Sequence, residues 1–381
     1  MNNRERTLAI FNYQNYDAMP VIHFGFWPEL LAKWHKEGHL TADEAEGWAD
    51  VNEYDRIITR KLGFDFGWGH QATPNHKLYP PFRRKILKRL PGGIIRYRNP
   101  DGLIEETDPA TTTIPTTIGT LMTGREAWEE HYKPRLQSTA ARYAKLARWK
   151  KLSLTTTDAP FGVYAGSLLG YIRDMLGVEA LSYLQADDED LYIEIIDTVA
   201  RECFETVKAV LDAGPKVDFL HFWEDLCFKN GPLINPAVFE KHAAPHYKKI
   251  TDMASAHGVH LFSVDSDGLI DSLVPIWLAN GVNIMFPIEV GTWNASIAPW
   301  REKYGRALRG VGGVRKSVLG QDRAAIDAEI ERLKPLVALG GYLPCPDHRI
   351  SLEATWDNTR YYADRMRATF TKRPPPEGGG F

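Results

Sequence analysis

Short apolar runs of the kind that form buried strands alternate along this chain with longer amphipathic stretches. Most of the runs are rich in β-branched or aromatic residues and are flanked by glycine, proline or aspartate. Eight strands are predicted, at residues 20–25, 64–68, 152–157, 217–222, 259–264, 282–286, 307–311 and 341–344. Because a strand-then-helix order with right-handed crossovers builds parallel sheets, the alternation predicts a barrel or a doubly wound sheet. Eight is also the number of strands that closes a parallel α/β barrel.

Three of the stretches between these runs have recognisable helix ends. Residues 187–212 begin with acidic side chains suited to a helix N-terminus and continue with apolar residues spaced three and four apart. Residues 236–257 start with a proline, which is favourable in a first turn, and stop before a glycine. Residues 322–339 stop before a pair of glycines. Each stretch is predicted to be a helix.

Two regions interrupt the alternation. A long excursion at about residues 69–150 contains the segment 94–106, which predicts a β-hairpin because its proline and glycine supply the special dihedral angles of a turn at Asn99–Gly102. Its basic run at 83–89 could suggest an anionic partner, but the balanced total charge favours a solvated face. Residues 372–381 are too poor in apolar side chains to pack and are expected to be disordered.

Composition excludes several classes of function. The 381 residues include 46 basic and 49 acidic side chains, for a net charge of −3, so no basic excess indicates a nucleic-acid partner. The apolar runs are too short for a signal peptide or a membrane span, so no membrane partner is expected. Three scattered cysteines, Cys203, Cys227 and Cys345, are too few for a disulfide framework and fit a reducing compartment. We expect a cytoplasmic protein, and a homodimer is one oligomeric state that it could adopt.

Polar residues gather where the predicted strands end, which is where an α/β barrel places its active site. Asp265 and Asp267 follow the fifth strand two residues apart, so their carboxylates are expected to face the same way. Two like charges at a barrel mouth need a cation, a basic neighbour or a proton, and a metal ion meets that need. Cys345, after the last strand, would complete a mixed sulfur and oxygen site that zinc accepts. An Asp-rich turn and an inert buried thiol are the alternatives.

The other predicted strand ends supply further polar and aromatic candidates. These are His23, Phe26 and Trp27 at the first, Asp158 and Tyr164 at the third, Trp223, Glu224 and Asp225 at the fourth, Glu289 at the sixth, Arg315 and Lys316 at the seventh, and Asp347 and His348 at the eighth. Asp158 and Asp225 could equally be helix N-caps, and His23 could equally be a core histidine.

Four segments of the chain together carry a family resemblance. They are NRERTLAIFNYQNYDAMPV at 3–21, PFGVYAGSLLGYIRDMLG at 160–177, FEKHAAPHYKKI at 239–250 and GGYLPCPDHRISLEATWDNTRYY at 340–362. Through them most of residues 1–370 resembles the uroporphyrinogen decarboxylase superfamily, which implies a (β/α)8 TIM barrel. The expectation is one barrel domain over residues 1–371, with an N-terminal helical extension and the hairpin-containing insertion.

Two departures from the family pattern narrow the implied function. The decarboxylase branch carries an arginine-containing RQAGR segment after its first strand to grip an anionic tetrapyrrole, whereas this chain has HFGFWPE at 23–29. The thiol-methylating branch binds zinc through His-x-Cys-Gly after the fifth strand plus a later cysteine, whereas residues 265–268 read Asp-Ser-Asp-Gly. An oxygen-rich site suits a Lewis acid that acts on an ether or alcohol oxygen better than one that holds a thiolate.

The resemblance thus implies a corrinoid-dependent methyltransferase. It would move a methyl group from a small methoxylated compound, such as an aryl methyl ether, to a cobalamin on a partner protein. Asp265, Asp267 and Cys345 would hold a divalent metal, with zinc as the expected ion. The catalytic candidates are Glu224, Asp225, His348 and His23, and the substrate-binding candidates are Phe26, Trp27, Tyr164, Trp223, Glu289 and Lys316. The alternatives are a decarboxylase that holds a small acid with Arg315, Lys316 and His23, and a non-catalytic ligand-binding barrel.

Overall fold

A computed structural model of the protein describes residues 1–108 and 115–371, so the expectation of disorder at 372–381 lies outside the described residues. The strands are β1 (Ile22–His23), β2 (Phe66–Gly67), β3 (Lys85–Arg89), β4 (Ile95–Arg98), β5 (Leu103–Thr107), β6 (Thr116–Thr120), β7 (Gly162–Gly166), β8 (Phe219–Trp223), β9 (Cys227–Phe228), β10 (Gly231–Pro232), β11 (Phe262–Asp265), β12 (Ile284–Ile288), β13 (Arg309–Val314) and β14 (Tyr342–Pro346). The helices are α1 (Asn3–Phe11), α2 (Pro28–Lys36), α3 (Ala42–Glu46), α4 (Glu53–Leu62), α5 (Arg125–Ala127), α6 (Leu146–Thr155), α7 (Gly170–Leu176), α8 (Val178–Asp187), α9 (Glu189–Asp212), α10 (Pro236–Val238), α11 (Ala244–Ala256), α12 (Val274–Ala279), α13 (Val290–Trp293), α14 (Ile297–Tyr304), α15 (Arg323–Ala338) and α16 (Trp356–Phe370). Within these ranges, every helix lacks either the length or the apolar character that a bilayer-spanning helix requires.

The main sheet is parallel and follows the order of the chain. Strands β7, β8, β11, β12, β13 and β14 lie side by side in that sequence, and β1 forms a separate parallel pair with β2. Single parallel bridges, Ala72–Val163 and Phe26–Ile350, lie at the two edges where these sheets approach each other. The predicted α/β architecture with parallel strands is confirmed, and seven of the eight predicted strands overlap strands of the structure.

Apolar residues on both faces explain why these segments form strands. All five positions of β12 and of β14 are buried, as expected for strands covered on two sides. On β8, Phe222 packs against Tyr247 of α11 at a ring distance of 5.1 Å. On the opposite face of the same strand, Phe219 stacks on Trp68 at 4.7 Å. Because successive side chains of a strand point to opposite faces, the position of a residue along β8 decides whether its side chain reaches the interior of the molecule.

The predicted strand at 152–157 is wrong. Most of this segment belongs to helix α6, whose buried side chains Trp149 and Ser153 lie four residues apart on one face. Its threonines favour a strand locally, but the helical spacing of the buried residues prevails. The third parallel strand is β7. Asp158 is therefore not at a strand end, and its carboxylate accepts hydrogen bonds from the backbone N–H and side-chain amide of Asn3, at 3.2 and 3.3 Å.

The insertion contains a four-stranded antiparallel sheet in the order β3-β4-β5-β6. The predicted hairpin is confirmed, because β4 and β5 pair across a turn in which Asn99 Oδ1 accepts hydrogen bonds from the N–H groups of Asp101 and Leu103, at 2.9 and 3.0 Å. Gly102 closes the turn with a φ of 98° and passes close to Tyr132, where a Cβ would collide. Because β7 begins only at Gly162, the insertion extends past the predicted boundary at about residue 150.

A buried ion pair fixes the insertion to the long helix α9. Arg142 Nε lies 3.1 Å from Glu202 Oε1, and both side chains are almost fully buried. Arg142 also donates hydrogen bonds to the backbone oxygens of Asn75 and Lys77, at 2.8 and 2.7 Å. Glu202 accepts a further hydrogen bond from Thr206 at 3.0 Å. The helix therefore holds several turns of the insertion through a single guanidinium group.

Candidate active site

Five ionisable side chains lie near one another at the carboxyl ends of the parallel strands; we call them the mouth cluster. They are His70, His221, Asp265, Asp267 and His348. The rings of His70 and His221 lie 5.4 Å apart, and His221 Nε2 lies 3.9 Å from Asp265 Oδ2. Asp267 Oδ2 and His348 Nε2 are 3.2 Å apart, and the charges of Asp265 and Asp267 interact. The cluster thus joins groups that are up to 278 residues apart in the chain (348 minus 70).

The pairing of β8 with β11 and a sharp turn after β11 bring His221, Asp265 and Asp267 close together. Ser263 of β11 pairs with His221 of β8, and Asp265 pairs with Trp223, so these residues lie side by side across the two strands. Gly268 then turns the chain with a φ of 85°. A Cβ at this position would lie 2.6 Å from a backbone oxygen of the neighbouring loop, so the turn that carries the second aspartate needs glycine.

The carboxyl group of Asp265 holds its proton more firmly than an ordinary aspartate. Its side chain is 15% exposed. Burial is the main cause that raises its pKa well above the usual range, and the charges of Asp267 and Asp225 raise it further. The nearest ion-pairing atom, His221 Nε2 at 3.9 Å, is too distant for a hydrogen bond. A carboxylic acid whose pKa is raised keeps its proton at a higher pH than an ordinary aspartate, and it can then act as a proton donor.

Burial keeps the two inner imidazoles neutral. It lowers the pKa of His70 to about 3, with repulsion from His221 as the second cause, and it lowers the pKa of His221 to about 4. The Nδ1 atoms of both rings are buried and, within the described residues, have no hydrogen-bond partner. A neutral imidazole can donate or accept at such an atom, so each ring can bind a polar group of a ligand.

On β11 and in the segments that directly follow β11 and β14, three further buried polar atoms lack partners among the described residues. They are Ser263 Oγ, Asp267 Oδ1 and His348 Nδ1. Native proteins pair the great majority of their buried polar atoms with protein groups or ordered water. Several such atoms close together therefore indicate a surface that forms hydrogen bonds to a ligand or to water.

Aromatic rings surround the mouth cluster. Trp27 stacks on the His348 ring at 5.7 Å with an interplanar angle of 18°, and Phe24 lies 5.3 Å from the same imidazole. Tyr164 stacks on His70 at 4.9 Å. Flat apolar walls around a few convergent polar groups are typical of a small-molecule site. The predicted places of Trp27 and Tyr164 beside the site agree with this arrangement.

Trp223 and Asp225 lie at the rim and share a basic neighbour. The guanidinium carbon of Arg173 lies 5.3 Å from the centre of the Trp223 ring, and its Nη1 lies 2.9 Å from Asp225 Oδ2. Burial raises the pKa of Asp225, while the charge of Arg173 opposes this shift. Asp225 is therefore near the mouth cluster but is held in an ion pair that directs its carboxylate towards Arg173.

Glu289 and Lys316, predicted to bind substrate, support the rim loops through backbone contacts. Glu289 Oε2 accepts a hydrogen bond of 2.6 Å from the N–H of Gly268 and so holds the turn that carries Asp267. The backbone N–H of Lys316 donates to Asp347 Oδ1 at 3.2 Å. The Glu289 carboxylate thus supports a rim loop, while the role predicted for the Lys316 side chain stays a prediction.

A second ion pair lies over the first strand. Arg349 forms two hydrogen bonds to the carboxylate of Asp50, at 3.0 and 2.6 Å. The Arg349 guanidinium lies 5.7 Å from Phe24 and 5.3 Å from Trp48. Because Gly25 has no Cβ, the pair can sit close to the backbone there, and it covers one side of the mouth beside His348.

The structure gives Glu224, which is predicted to be catalytic, the hydrogen-bond partners of a structural residue. Its fully buried carboxylate accepts hydrogen bonds from the N–H groups of Leu168, Leu169 and Gly170, at 2.7, 2.9 and 2.9 Å, and from the hydroxyl of Tyr247. Those N–H groups lie at the start of α7, where the helix itself supplies no acceptors. The carboxylate therefore caps a helix, and both of its oxygens are occupied.

His23 and Phe26, predicted to be catalytic and substrate-binding, are also held inside the fold. His23 Nε2 shares a 2.8 Å hydrogen bond with Thr59, and its Nδ1 accepts a 2.9 Å hydrogen bond from the N–H of Gly25, so both ring nitrogens have partners. Phe26 is fully buried among side chains of the surrounding helices. Instead, Phe24 is the residue of this segment that contacts His348.

The three residues predicted to hold zinc do not form a metal site. Cys345 lies in an apolar cluster with Ile22 and Phe286, and burial raises the pKa of its thiol above the usual range, so the thiolate that zinc requires is disfavoured. In the described ranges, no three His, Cys, Asp or Glu side chains are placed to hold a metal ion. Asp265 and Asp267 thus meet without the cysteine, and this donor set does not fit zinc.

Several residues of the site escaped the sequence analysis. They are Phe24, Trp68, His70, His221, Ser263 and Phe286, with Phe286 lying 5.9 Å from the His221 ring and 4.3 Å from Phe24. The predicted site residues follow the predicted strands, whereas His221 and Ser263 lie on the strands themselves. Counting back two residues from Trp223 and Asp265, on the same face, would have found both.

Comparison with known proteins supports the fold. No protein-family model matches the sequence, and no curated protein sequence matches it either. The structure is similar to that of a methyltransferase from Methanosarcina mazei, with a TM-score of 0.59 and 14% identity over 97% of this chain and 99% of that chain. A structure from Listeria monocytogenes described as a vitamin-B12-independent methionine synthase has 14% identity, a TM-score of 0.40 and coverage of 94% and 98%, too low a score for an argument. The fold and site together define an α/β protein with parallel strands and an acid–imidazole centre at their carboxyl ends.

Proposed function

We propose that the protein is a methyltransferase that works at the mouth cluster of a closed (β/α)8 barrel. The bridges Ala72–Val163 and Phe26–Ile350 support closure, because they lie where the six-stranded sheet and the β1–β2 pair approach each other. Similarity over nearly the whole chain to a methyltransferase supports methyl transfer as the class of reaction. Ionisable groups at the carboxyl ends of the strands lie where barrels of this kind perform catalysis.

The carboxyl group of Asp265, which lies 3.9 Å from His221 and holds its proton more firmly than an ordinary aspartate, carries this proposal. When a methyl group leaves an ether, the electron pair of the broken carbon–oxygen bond stays on the oxygen, which makes a poor leaving group unless it is protonated. Asp265 donates its proton to that oxygen as the bond breaks, which yields a neutral alcohol or phenol and an aspartate carboxylate. The proton returns from solvent by way of Asp267, whose side chain is 36% exposed.

The neutral imidazoles and aromatic rings would orient the donor. The free Nδ1 atoms of His70 and His221 can hold a polar substituent of the substrate. Trp27, Tyr164 and Trp223 would hold a flat ring on either side of the polar centre. A small methoxylated aromatic compound combines these features, because it has one ether oxygen to protonate and one ring to stack.

A cobalamin on a partner protein is the proposed methyl acceptor, and it would supply a strong nucleophile for the methyl carbon. The half-exposed side chains of Trp27 and Asp267 leave the mouth accessible from outside, which fits an acceptor that docks on the strand ends. No step is assigned to zinc, because the donor set does not fit it. We place the activity in the cytoplasm, since all three cysteines are free thiols.

The geometry supports the alternatives less well. A decarboxylase would need Arg315 and His23 to converge on a carboxylate, but Arg315 lies 3.9 Å from Glu329 and His23 is bonded to Thr59. A ligand-binding barrel could use the same mouth cluster, but it would have no need for a buried carboxyl group whose raised pKa lowers stability once the pH exceeds the unfolded-state value.

An assay with purified protein tests the proposal. The protein is incubated with a reduced corrinoid carrier and a panel of methoxylated aromatics, and both the cobalt spectrum and the free phenol are followed. We expect methyl transfer from at least one donor, and we expect Asp265→Asn to slow it by about a hundredfold or more, because general acids contribute on this scale. Asp252→Asn is the matched control, since Asp252 lies exposed on α11 and pairs with Lys248.

Two results would contradict the proposal. If no donor yields a phenol while the protein binds the same compounds, the site is a binding pocket. If transfer occurs but Asp265→Asn is as active as Asp252→Asn, the protonated carboxyl is not the acid of the reaction.

A further inference from the structure

A cavity of about 950 Å³ lies in the insertion, apart from the mouth cluster. Its walls are formed by residues 80–83, by the end of β4, and by residues that follow β6 and continue to Arg135. None of the five residues of the mouth cluster lines it. Small-molecule sites typically enclose roughly 300–1,000 Å³. The cavity therefore has room for a ligand of its own.

Two guanidinium groups and one ring form the inner surface of this cavity. The guanidinium carbon of Arg135 lies 4.6 Å from the centre of the Phe82 ring, and that of Arg98 lies 5.4 Å from it. Arg98 donates to the backbone oxygen of Arg83 at 3.0 Å, and Arg135 donates to that of His131, so both side chains are held in place. The Nε atoms of Arg98 and Arg135 are buried and, within residues 1–108 and 115–371, have no hydrogen-bond partner.

The positive charge of this inner surface is not neutralised by the protein. Guanidinium groups stay charged in proteins, and half-buried ones are normally paired with anions. Among the described residues, no carboxylate forms an ion pair with Arg98 or Arg135. The two carboxylates that line the cavity, Glu126 and Glu130, are exposed at its rim, and Glu130 lies 3.8 Å from His131. An anion that enters the cavity would therefore meet two unoccupied guanidinium groups.

We propose that this cavity binds the phosphate group of a small organic molecule. Two guanidinium groups match the double charge of a phosphate monoester, whereas a monocarboxylate would leave one of them uncompensated. The guanidinium groups of Arg98 and Arg135 both pack against the Phe82 ring, so they lose less conformational entropy when an anion binds. Arg83 at the rim belongs to the basic run 83–89, whose exposed cations attract anions towards the entrance.

Isothermal titration of the full-length protein tests this site at constant ionic strength. Phenyl phosphate and benzoate form a matched pair of probes, because they share a ring and differ in the anion. We expect saturable binding of phenyl phosphate that is about tenfold or more tighter than that of benzoate, and a similar loss in Arg98→Gln and in Arg135→Gln. Arg84→Gln is the control, since Arg84 lies on the Tyr97 ring at 4.1 Å and does not line the cavity.

Thermal melting keeps the test decisive if a glutamine variant folds poorly. Phenyl phosphate should raise the melting temperature of the wild type and of Arg84→Gln. Arg83→Gln, at an exposed position, should fold normally and weaken binding by about threefold. The proposal is overturned if phenyl phosphate gives no saturable binding, if benzoate binds as tightly, or if Arg98→Gln, Arg135→Gln and Arg83→Gln all bind like the wild type. Since no methyl donor is involved, these results are independent of the methyltransferase assay.

Discussion

The proton on Asp265 connects the chemistry of the mouth cluster with the stability of the fold. In an unfolded chain an aspartate loses its proton near pH 4, whereas burial and the charge of Asp267 keep the folded-state pKa of Asp265 well above that value. Between the two pKa values the folded state binds more protons than the unfolded state. The free energy of unfolding therefore falls as the pH rises through this window.

Replacing this carboxyl group should remove that penalty. We expect Asp265→Asn to raise the free energy of unfolding near pH 7, because the amide has no charge to bury. At about pH 3 the difference should shrink, because the wild-type carboxyl is then largely protonated in both the folded and the unfolded state. Urea unfolding at the two pH values measures it. A variant that is less stable than the wild type at both would contradict the raised pKa.

Glu224 should behave as a structural residue. Glu224→Gln replaces one acceptor oxygen with an N–H₂ group that faces the backbone N–H groups of Leu168, Leu169 and Gly170. We expect the free energy of unfolding to fall by about 2–3 kcal/mol, while the folded variant keeps its methyl-transfer rate. Glu240→Gln, at an exposed position, is the control. Unchanged stability with lost activity would restore a catalytic role to Glu224.

The thiols should be unreactive in the native protein. Cys203, Cys227 and Cys345 are all free and buried, and burial raises the pKa of each. We expect an aromatic disulfide reagent to modify none of them rapidly in buffer and all three in denaturant. A thiol that reacts fast in the native protein, and that zinc protects, would bring back Cys345 as a metal ligand.

At the scale of secondary structure, the elements best predicted from sequence are those whose apolar residues are continuous. Strands β12 and β14 are buried throughout and carry the expected runs, and helix α9 follows its predicted bounds closely. The third strand was misplaced because α6 ends in threonines that favour a strand, while β7 begins and ends with glycine. The local strand preference of a segment predicts the wrong element where tertiary packing determines its structure.

Sequence position brings together only those residues of the mouth cluster that lie at strand ends. Asp265 ends β11, Asp267 and His348 follow β11 and β14, and the structure places the latter two within 3.2 Å of each other. Glu224 and Cys345 also lie at predicted strand ends, but their side chains contact other parts of the protein. Glu224 binds backbone groups 54–56 residues earlier in the chain, and such long-range partners cannot be read from the sequence.

The ion pair between Arg142 and Glu202, which anchors the insertion on α9, can be tested by mutation. Glu202→Gln leaves the charge of Arg142 buried without its partner, so we expect the free energy of unfolding to fall by about 3 kcal/mol. Limited proteolysis should then cut the insertion before the parallel strands. Glu205→Gln, on the exposed face of the same helix, is the control. Equal resistance of Glu202→Gln and the control to protease would show that the ion pair does not hold the insertion.

Considered as a whole, the molecule places two kinds of chemistry in different regions. The mouth cluster gathers groups from positions 70 to 348 at the ends of parallel strands, and its main feature is a carboxyl group that keeps its proton. The cavity of the insertion is formed by nearby segments of one antiparallel sheet and the chain that follows it, and its main feature is fixed positive charge.

The measurement that bears most directly on the central claim is the titration of Asp265 itself. Protein labelled with ¹³C at the aspartate side-chain carboxyl is followed by NMR from pH 3 to pH 9, and Asp265→Asn identifies the resonance. We predict that this carboxyl loses its proton well above the usual aspartate value of about 3.9, so that its resonance stays in the protonated position over the pH range in which an ordinary aspartate titrates. A carboxyl that titrates near pH 4 would leave the mouth cluster without an acid and would contradict the proposed mechanism.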